Sequence, residues 1–264
     1  MEPSQNRIVV KVGTSTLTHE SGALDIRTID KLAQVLSAIR NSGYEVILVS
    51  SGAIAVGVEK MRLPARPKEI RMKQAAAAVG QCELMYTYDR LFTQYNHTVA
   101  QLLLTAPDLK TADRHEKFEN TMSRLIELGA LPIINENDTV ATEEIVFGDN
   151  DTLAGVVAVA IGADLLVLLS DIDGLYTADP HTDPNARLIS KVTALDDSVT
   201  ALAGGSNGKQ GTGGMVTKLE AAKICLNCGC TMVIANGKDP DILYDILDGT
   251  AVCTRFLPQN KPSL

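Results

Sequence analysis

GKQGTGGMVTKLEAAK, residues 208–223, sets four glycines and two threonines ahead of an alanine-rich run that carries Lys218. It resembles a phosphate-binding P-loop, G-x-x-x-x-G-K-[S/T], but fails at two positions. If Gly208–Lys209 were the G-K pair, Gln210 would stand where Ser or Thr is needed, and Ala203 where the first glycine belongs. The physical recipe for an anion site survives. Glycines let backbone N–H groups approach a phosphate closely, and the helix expected from Thr217 to Asn227 offers unsatisfied donors and a partial positive charge at its start. The stretch therefore indicates a nucleotide site on an architecture other than the P-loop.

Outward from this segment, apolar runs alternate with helical patterns. RIVVKV (7–12), EVILV (45–49), HTVAQLLL (97–104), LPIIN (131–135), LLVLL (165–169) and TMVIA (231–235) read as strands, with a last one near 252–256. Between them, Ile29, Leu32, Ala33, Leu36 and Ile39 recur at helical spacing, with Asp25 as N-cap and Gly43 as terminator. Helices are also expected over 69–95, over 114–128, from 153 to Gly162, and after Pro240. Strand–helix–strand repetition predicts an α/β fold with a parallel sheet and helices on both faces. Strands that are apolar throughout fit burial on both sides. Ligands of such sheets gather beyond the carboxyl ends of the strands, where VGTS (12–15), SSGA (50–53), NENDT (135–139), SDIDG (170–174) and ANGKD (235–239) fall.

With 45% hydrophobic residues in 264, the chain can bury one large core or two small ones. A net charge of −8, with no basic face or cluster noted, argues against nucleic acid as a partner. Anions must then be held by local lysines and backbone amides. MEPSQNRIVV lacks the apolar core of a signal peptide. Residues 153–170 are long enough for a membrane span, but Gly155, Gly162, Asp164 and the absence of basic flanks favour a buried helix followed by a buried strand. Five cysteines without a leader suggest reduced thiols and a cytoplasmic protein. Cys225, Cys228 and Cys230 admit a metal reading, but no fourth ligand is near, and a helix end with small buried thiols is the plainer one.

Three places concentrate chemistry. Lys11 lies one residue before the end of the first strand, and Gly13 follows; a lysine there is either on a solvent-facing edge or matched by something negative. Asp149, Asn150 and Asp151 precede a helix, shortly after Asn135–Asp138. One cap needs one residue, so two clusters of carboxylates and amides exceed capping and suit an ammonium, or the ordering of lysines. SDIDGLYTADP (170–180) makes a folded loop fit for a base or ribose.

KVGTSTL, SSGAIAVG, INENDTV, FGDNDTLA, LLSDIDGLYTADP and GTGGMVTKLEAA, in this order from about residue 8 to 256, resemble the amino acid kinase family. The similarity is greatest to members that act on L-glutamate at the head of proline synthesis. The resemblance implies a three-layer α/β/α sandwich around a mainly parallel sheet of about eight strands. It implies one kinase domain, with glutamate bound by a lobe of about residues 1–165 and ATP by a lobe of about 166–258. It implies transfer of the γ-phosphoryl group of ATP, with Mg2+, to the side-chain carboxylate of L-glutamate. By matching position, Lys11 and Lys218 contact phosphates and Asp151 orients them. Ser51, Gly52, Ala53, Asp138 and Asn150 take the amino acid; Gly13, Ser170, Asp171, Thr212, Gly213, Gly214, Met215, Val216 and Thr217 take the nucleotide with the two lysines. It also implies feedback by proline and a homodimer or tetramer. The chain stops short of the RNA-associated PUA domain that many such members carry.

Alternatives are another kinase of the family, acting on N-acetylglutamate, carbamate or aspartate, and a non-catalytic amino-acid sensor. A free α-ammonium suits Asp138 and Asn150, which separates glutamate from its N-acetylated form.

Overall fold

The computed structural model describes residues 6–140, 150–180, 182–203 and 214–259. Eight strands form one sheet: β1 (Arg7–Val12), β2 (Glu45–Val49), β3 (Val99–Leu104), β4 (Leu131–Glu136), β5 (Leu165–Ser170), β6 (Lys191–Val192), β7 (Thr231–Asn236) and β8 (Thr254–Phe256). Their order is β3-β4-β2-β1-β5-β7-β8-β6. All neighbours are parallel except β7 and β8. The mainly parallel eight-stranded sheet is the one the resemblance implies. The two-residue β6 went unread in the sequence, being too short for any periodicity to register.

Ten helices are described: α1 (Thr14–Leu17), α2 (Ile26–Asn41), α3 (Ala53–Lys60), α4 (Ile70–Thr93), α5 (Ala106–Lys110), α6 (Ala112–Glu127), α7 (Asn150–Ala160), α8 (Asp197–Ala203), α9 (Met215–Asn227) and α10 (Ile242–Asp248). Asp25 caps α2 by accepting from the Thr28 N–H at 3.1 Å, and Gly43 follows with φ +97°. The apolar stretch 153–170 is divided between α7 and β5, with a left-handed turn at Gly162 between them. No helix among the described residues is long and apolar enough to cross a membrane.

Strand parity sorts the core into two layers. Ile8, Val10 and Val12 join Val46, Leu48, Val167 and Leu169 beneath α2, α4 and α10. Val9 joins Ile47, Val49, Leu166 and Leu168 beneath α6, α7 and α9. Lys11 shares the parity of Val9, so its side chain enters the layer of α7 and α9. β1 is central rather than an edge, and the solvent-facing reading of Lys11 is excluded.

SSGAIAVG hides α3. Gly57 and the β-branched Ile54 and Val56 weaken its local helical signal; packing on α4 supplies what propensity lacks. A Cβ on Gly57 would overlap the Ala76 carbonyl, and one on Gly80 would overlap the Ala53 carbonyl. The two backbones touch there. Gly80→Ala is expected to cost about 2–3 kcal/mol in urea unfolding, since neither carbonyl can retreat without parting the helices.

Candidate active site

β1 and β5 are adjacent, yet the chain runs from β1 to β2 on one side and from β5 towards β7 on the other. The crevice beyond their carboxyl ends is where such sheets bind ligands. Lys11 Nζ reaches it from β1 and stands 2.6 Å from Asp151 Oδ1. Lys218 Nζ reaches it from α9 and stands 3.0 Å from Asp151 Oδ2. Asp151, in the first turn of α7, is fully buried; Lys11 is 5% exposed and Lys218 7%. Close contact of Gly155 with Ala221 brings α7 against α9 and sets this pairing. The Thr217 hydroxyl lies 3.2 Å from Asp151 Oδ2 and 2.9 Å from the Gly214 carbonyl.

Two buried ammonium groups thus meet at one carboxylate, a concentration of positive charge suited to receiving an anion. Gly13 keeps the approach open. Its φ of −80° would suit any residue, but a Cβ there would sit 3.8 Å from Lys11 Nζ. Gly214 starts α9 without a side-chain cap, so the amides of Met215, Val216 and Thr217 form an open helix N-terminus beside the lysines. Val216 is half exposed. Thr212 and Gly213 lie outside the described residues, as do Gly148 and Asp149.

On the β5 side, Ser170 Oγ donates to Asp171 Oδ1 at 3.1 Å, and Asp171 is exposed. The loop is tied down by Asp173, which accepts from Tyr176 and from Asn236 of β7, each at 3.0 Å.

A second cluster lies beyond β2 and β4. The Asn150 amide nitrogen faces three acceptors: the Ser50 carbonyl at 2.6 Å, Asn135 Oδ1 at 2.8 Å and Ser51 Oγ at 3.0 Å. A backbone carbonyl cannot donate, so the amide orientation is forced. Asn150 is left with its own oxygen to offer a ligand, an acceptor suited to an ammonium. Asn135 donates in turn to Gln81 Oε1 at 2.8 Å, and Ser50 Oγ pairs with the Tyr88 hydroxyl at 2.9 Å. Gly52 begins α3 at φ +94°, a conformation that favours glycine, and Ala53 is buried against α4. Asp138 follows the end of β4 by two residues, its carboxyl pushed up to about 6 by burial, with the Arg66 charge acting the other way.

Gln81, Tyr88 and Arg66 were absent from the sequence reading. The first two look like ordinary positions on α4. Arg66 belongs to a local signal that was overlooked: residues 60–73 hold Lys60, Arg62, Arg66, Lys68, Arg71 and Lys73 against a single acid, Glu69. Prolines and apolar residues break up this basic segment, but it is a basic cluster, contrary to the expectation from the sequence. Cys225 and Cys230 are buried at the end of α9 and Cys228 is exposed. A hydrogen bond with Cys230, then burial, raises the Cys225 thiol pKa. Among the described residues, no group of three His, Cys, Asp or Glu could hold a metal ion.

Paired ammonium groups and an open helix end at a sheet crevice, next to the Asn150 polar cluster, have the electrostatics of an enzyme that moves a phosphoryl group between anions. The chain belongs to the amino acid kinase family, whose model matches residues 6–236. It is 50% identical over 262 residues to a glutamate 5-kinase of Listeria innocua serovar 6a, covering 98% of this chain and 95% of the relative. It is 51% identical over 256 residues to that of Clostridium acetobutylicum, covering 97% and 96%. The match to the glutamate 5-kinase of Caldanaerobacter subterraneus subsp. tengcongensis is 50% over 256 residues and covers 97% of this chain but 69% of the relative. The fold matches an isopentenyl phosphate kinase substrate complex (TM-score 0.67, 18% identity, 95% and 99% covered). It also matches carbamate kinase from Giardia lamblia bound to AMP-PNP (TM-score 0.67, 17% identity, 98% and 100% covered).

Proposed function

We propose that this chain carries out the glutamate 5-kinase reaction, the first step of proline synthesis: the γ-phosphoryl group of ATP passes to the side-chain carboxylate of L-glutamate, giving L-glutamyl 5-phosphate and ADP. The supporting observation is the convergence of Lys11 and Lys218 on Asp151, 2.6 and 3.0 Å away, beside the Ser51–Asn150 cluster. The acceptor carboxylate is ionised at neutral pH, so no general base is needed. What remains is to hold two anions in line and offset their repulsion.

In this reading Lys11 and Lys218 bracket the transferring group, and Asp151 holds both ammonium groups in place. Gly13 and the first turn of α9, from Gly214 through Met215, Val216 and Thr217, supply space and amides for the phosphates. Ser170 and Asp171 stand on the nucleoside side. Ser51, Gly52 and Ala53 line the amino-acid pocket, where Asn150 Oδ1 and Asp138 accept from the α-ammonium. The portion up to about residue 165 thus serves mainly the amino acid and that from about 166 to 258 mainly the nucleotide. Mg2+ enters as part of the Mg·ATP substrate, held by phosphate oxygens and water, since the central carboxylate is already committed to two lysines.

The test is product identification with ATP and L-glutamate, trapping the acyl phosphate with hydroxylamine, alongside N-acetylglutamate, carbamate and aspartate. Faster turnover of any of these three than of glutamate would overturn the substrate assignment. Nucleotide or glutamate binding without phosphoryl product would make the protein a sensor. Inhibition by proline and assembly into a dimer or tetramer belong to the same reading; proline titration and sedimentation measure them.

Asp138 adds a pH signature. Only its ionised form attracts an ammonium, and its carboxyl sits at about 6 in the free protein. As pH falls below that value, kcat/KM for glutamate is expected to drop about tenfold per unit while KM for ATP stays level. Asp138→Asn is expected to remove this limb and leave a low, flat profile.

A further inference from the structure

The orientation of Asn150 is set by a chain of amides that begins on a helix outside the motifs. Its nitrogen is fixed by the Ser50 carbonyl, which can only accept, and by Asn135 Oδ1 at 2.8 Å. Asn135 is fixed in turn. The same Oδ1 accepts from the Glu136 backbone N–H at 2.9 Å, a group that can only donate. The Asn135 nitrogen therefore faces Gln81, which presents Oε1 to it at 2.8 Å. Donation runs one way, from Asn150 to Asn135 to Gln81. Reversing any single amide would set two donors or two acceptors face to face. All three side chains are buried, so a mispaired group there is costly.

Gln81 stands on α4, and its neighbour Gly80 lies against the Ala53 carbonyl at the start of α3, just after Ser51 and Gly52. Two turns further along the same face of α4, Tyr88 pairs its buried hydroxyl with Ser50 Oγ at 2.9 Å. One helix thus holds both flanks of Asn150: Asn135 through Gln81, and Ser50 through Tyr88. Packing alone does not call for a glutamine on this helix, whose buried Leu84, Leu91 and Phe92 belong to the apolar layer. Ordering a glutamine costs side-chain entropy, which the bond to Asn135 offsets.

Resting on the glutamate reading, we infer that Gln81 is a positioning residue for the substrate: through Asn135 it keeps the Asn150 oxygen turned towards the α-ammonium. An Asn150 amide turned over would present its own N–H donors to that ammonium and repel it. The role concerns the α-carbon end of the substrate. The phosphoryl end, at Lys11 and Lys218, is built from other elements, β1 and α9. Loss of Gln81 therefore falls on KM and on selectivity for the amine, not on the transfer step.

The experiment compares L-glutamate with glutarate, which keeps both carboxylates and lacks the α-ammonium, by hydroxamate formation with ATP. Wild type is expected to prefer glutamate in kcat/KM. Gln81→Met keeps the length of the side chain and removes the amide acceptor. It is expected to raise KM for glutamate about tenfold, with kcat within about threefold and KM for ATP and for glutarate unmoved, so that the preference shrinks about tenfold. A pocket that had merely loosened would weaken both acceptors alike. Gln81→Glu offers Asn135 an oxygen whether ionised or not, and is expected to keep the preference within about threefold of wild type. Urea unfolding shows which variants are folded, and each folded variant is read on its own. A wild type that forms no hydroxamate from glutamate overturns the glutamate reading and this role with it. Where wild type turns over glutamate, three results overturn the role of Gln81 alone: no wild-type preference over glutarate, a preference that survives Gln81→Met, or one that is lost in folded Gln81→Glu.

Discussion

Replacing Lys218 with alanine is expected to lower kcat by about 1,000-fold, with KM for glutamate and for ATP each moving by less than about fivefold. The asymmetry follows from where the charge acts. In the proposed reaction, ground-state ATP and glutamate are held by many groups, among them backbone amides of α9 and the Asn150 cluster. Negative charge gathers between them only as the phosphoryl group moves, and the Lys218 ammonium lies buried at that place, 3.0 Å from Asp151. In the variant Asp151 keeps Lys11 at 2.6 Å, so the buried pair stays balanced and the fold is expected to hold. Steady-state ADP release with hydroxamate detection measures both parameters. An unchanged kcat would remove Lys218 from the transfer step. A raised KM with kcat intact would make it a binding residue alone.

Asp151→Asn is expected to damage the fold as well as turnover. The substitution keeps shape and removes one charge, leaving two ammonium groups of low exposure with no carboxylate between them. Removing one partner of a buried ion pair costs about 3–5 kcal/mol, and the amide offers one oxygen where the carboxylate offered two. Salt should rescue little, because buried charges are poorly screened. Nucleotide should rescue much more: phosphates supply the missing negative charge, so a non-hydrolysed ATP analogue is expected to raise the melting temperature of the variant more than that of wild type. Urea unfolding with and without the analogue gives both quantities. A variant as stable as wild type would mean that the lysines are neutralised by something other than Asp151.

Much of the architecture could be read from one chain. Strands buried on both faces announce themselves as apolar runs, and β1, β2, β5 and β7 start and stop within a residue of the expected positions. The amphipathic α2 with its Asp25 cap was equally plain. Where the local signal was weak, the sequence was silent. Gly57 argues against a helix until Ala76 of α4 is seen against it. β6 exists because β8 pairs with it.

The site divides in the same way. Motif order marked Lys11, Asp151 and Lys218 through a family resemblance, and the residue types alone called for an anion and an ammonium. Their meeting was a tertiary result: Asp151 and Lys218 are separated by 67 positions and come together because α7 and α9 touch at Gly155. Gln81, which accepts from Asn135, carries no periodic or compositional mark of its role. An apolar face must repeat along its own element to be buried, so it is written locally. A polar cluster needs one residue from each of several elements, and only the packing of those elements determines which residues meet.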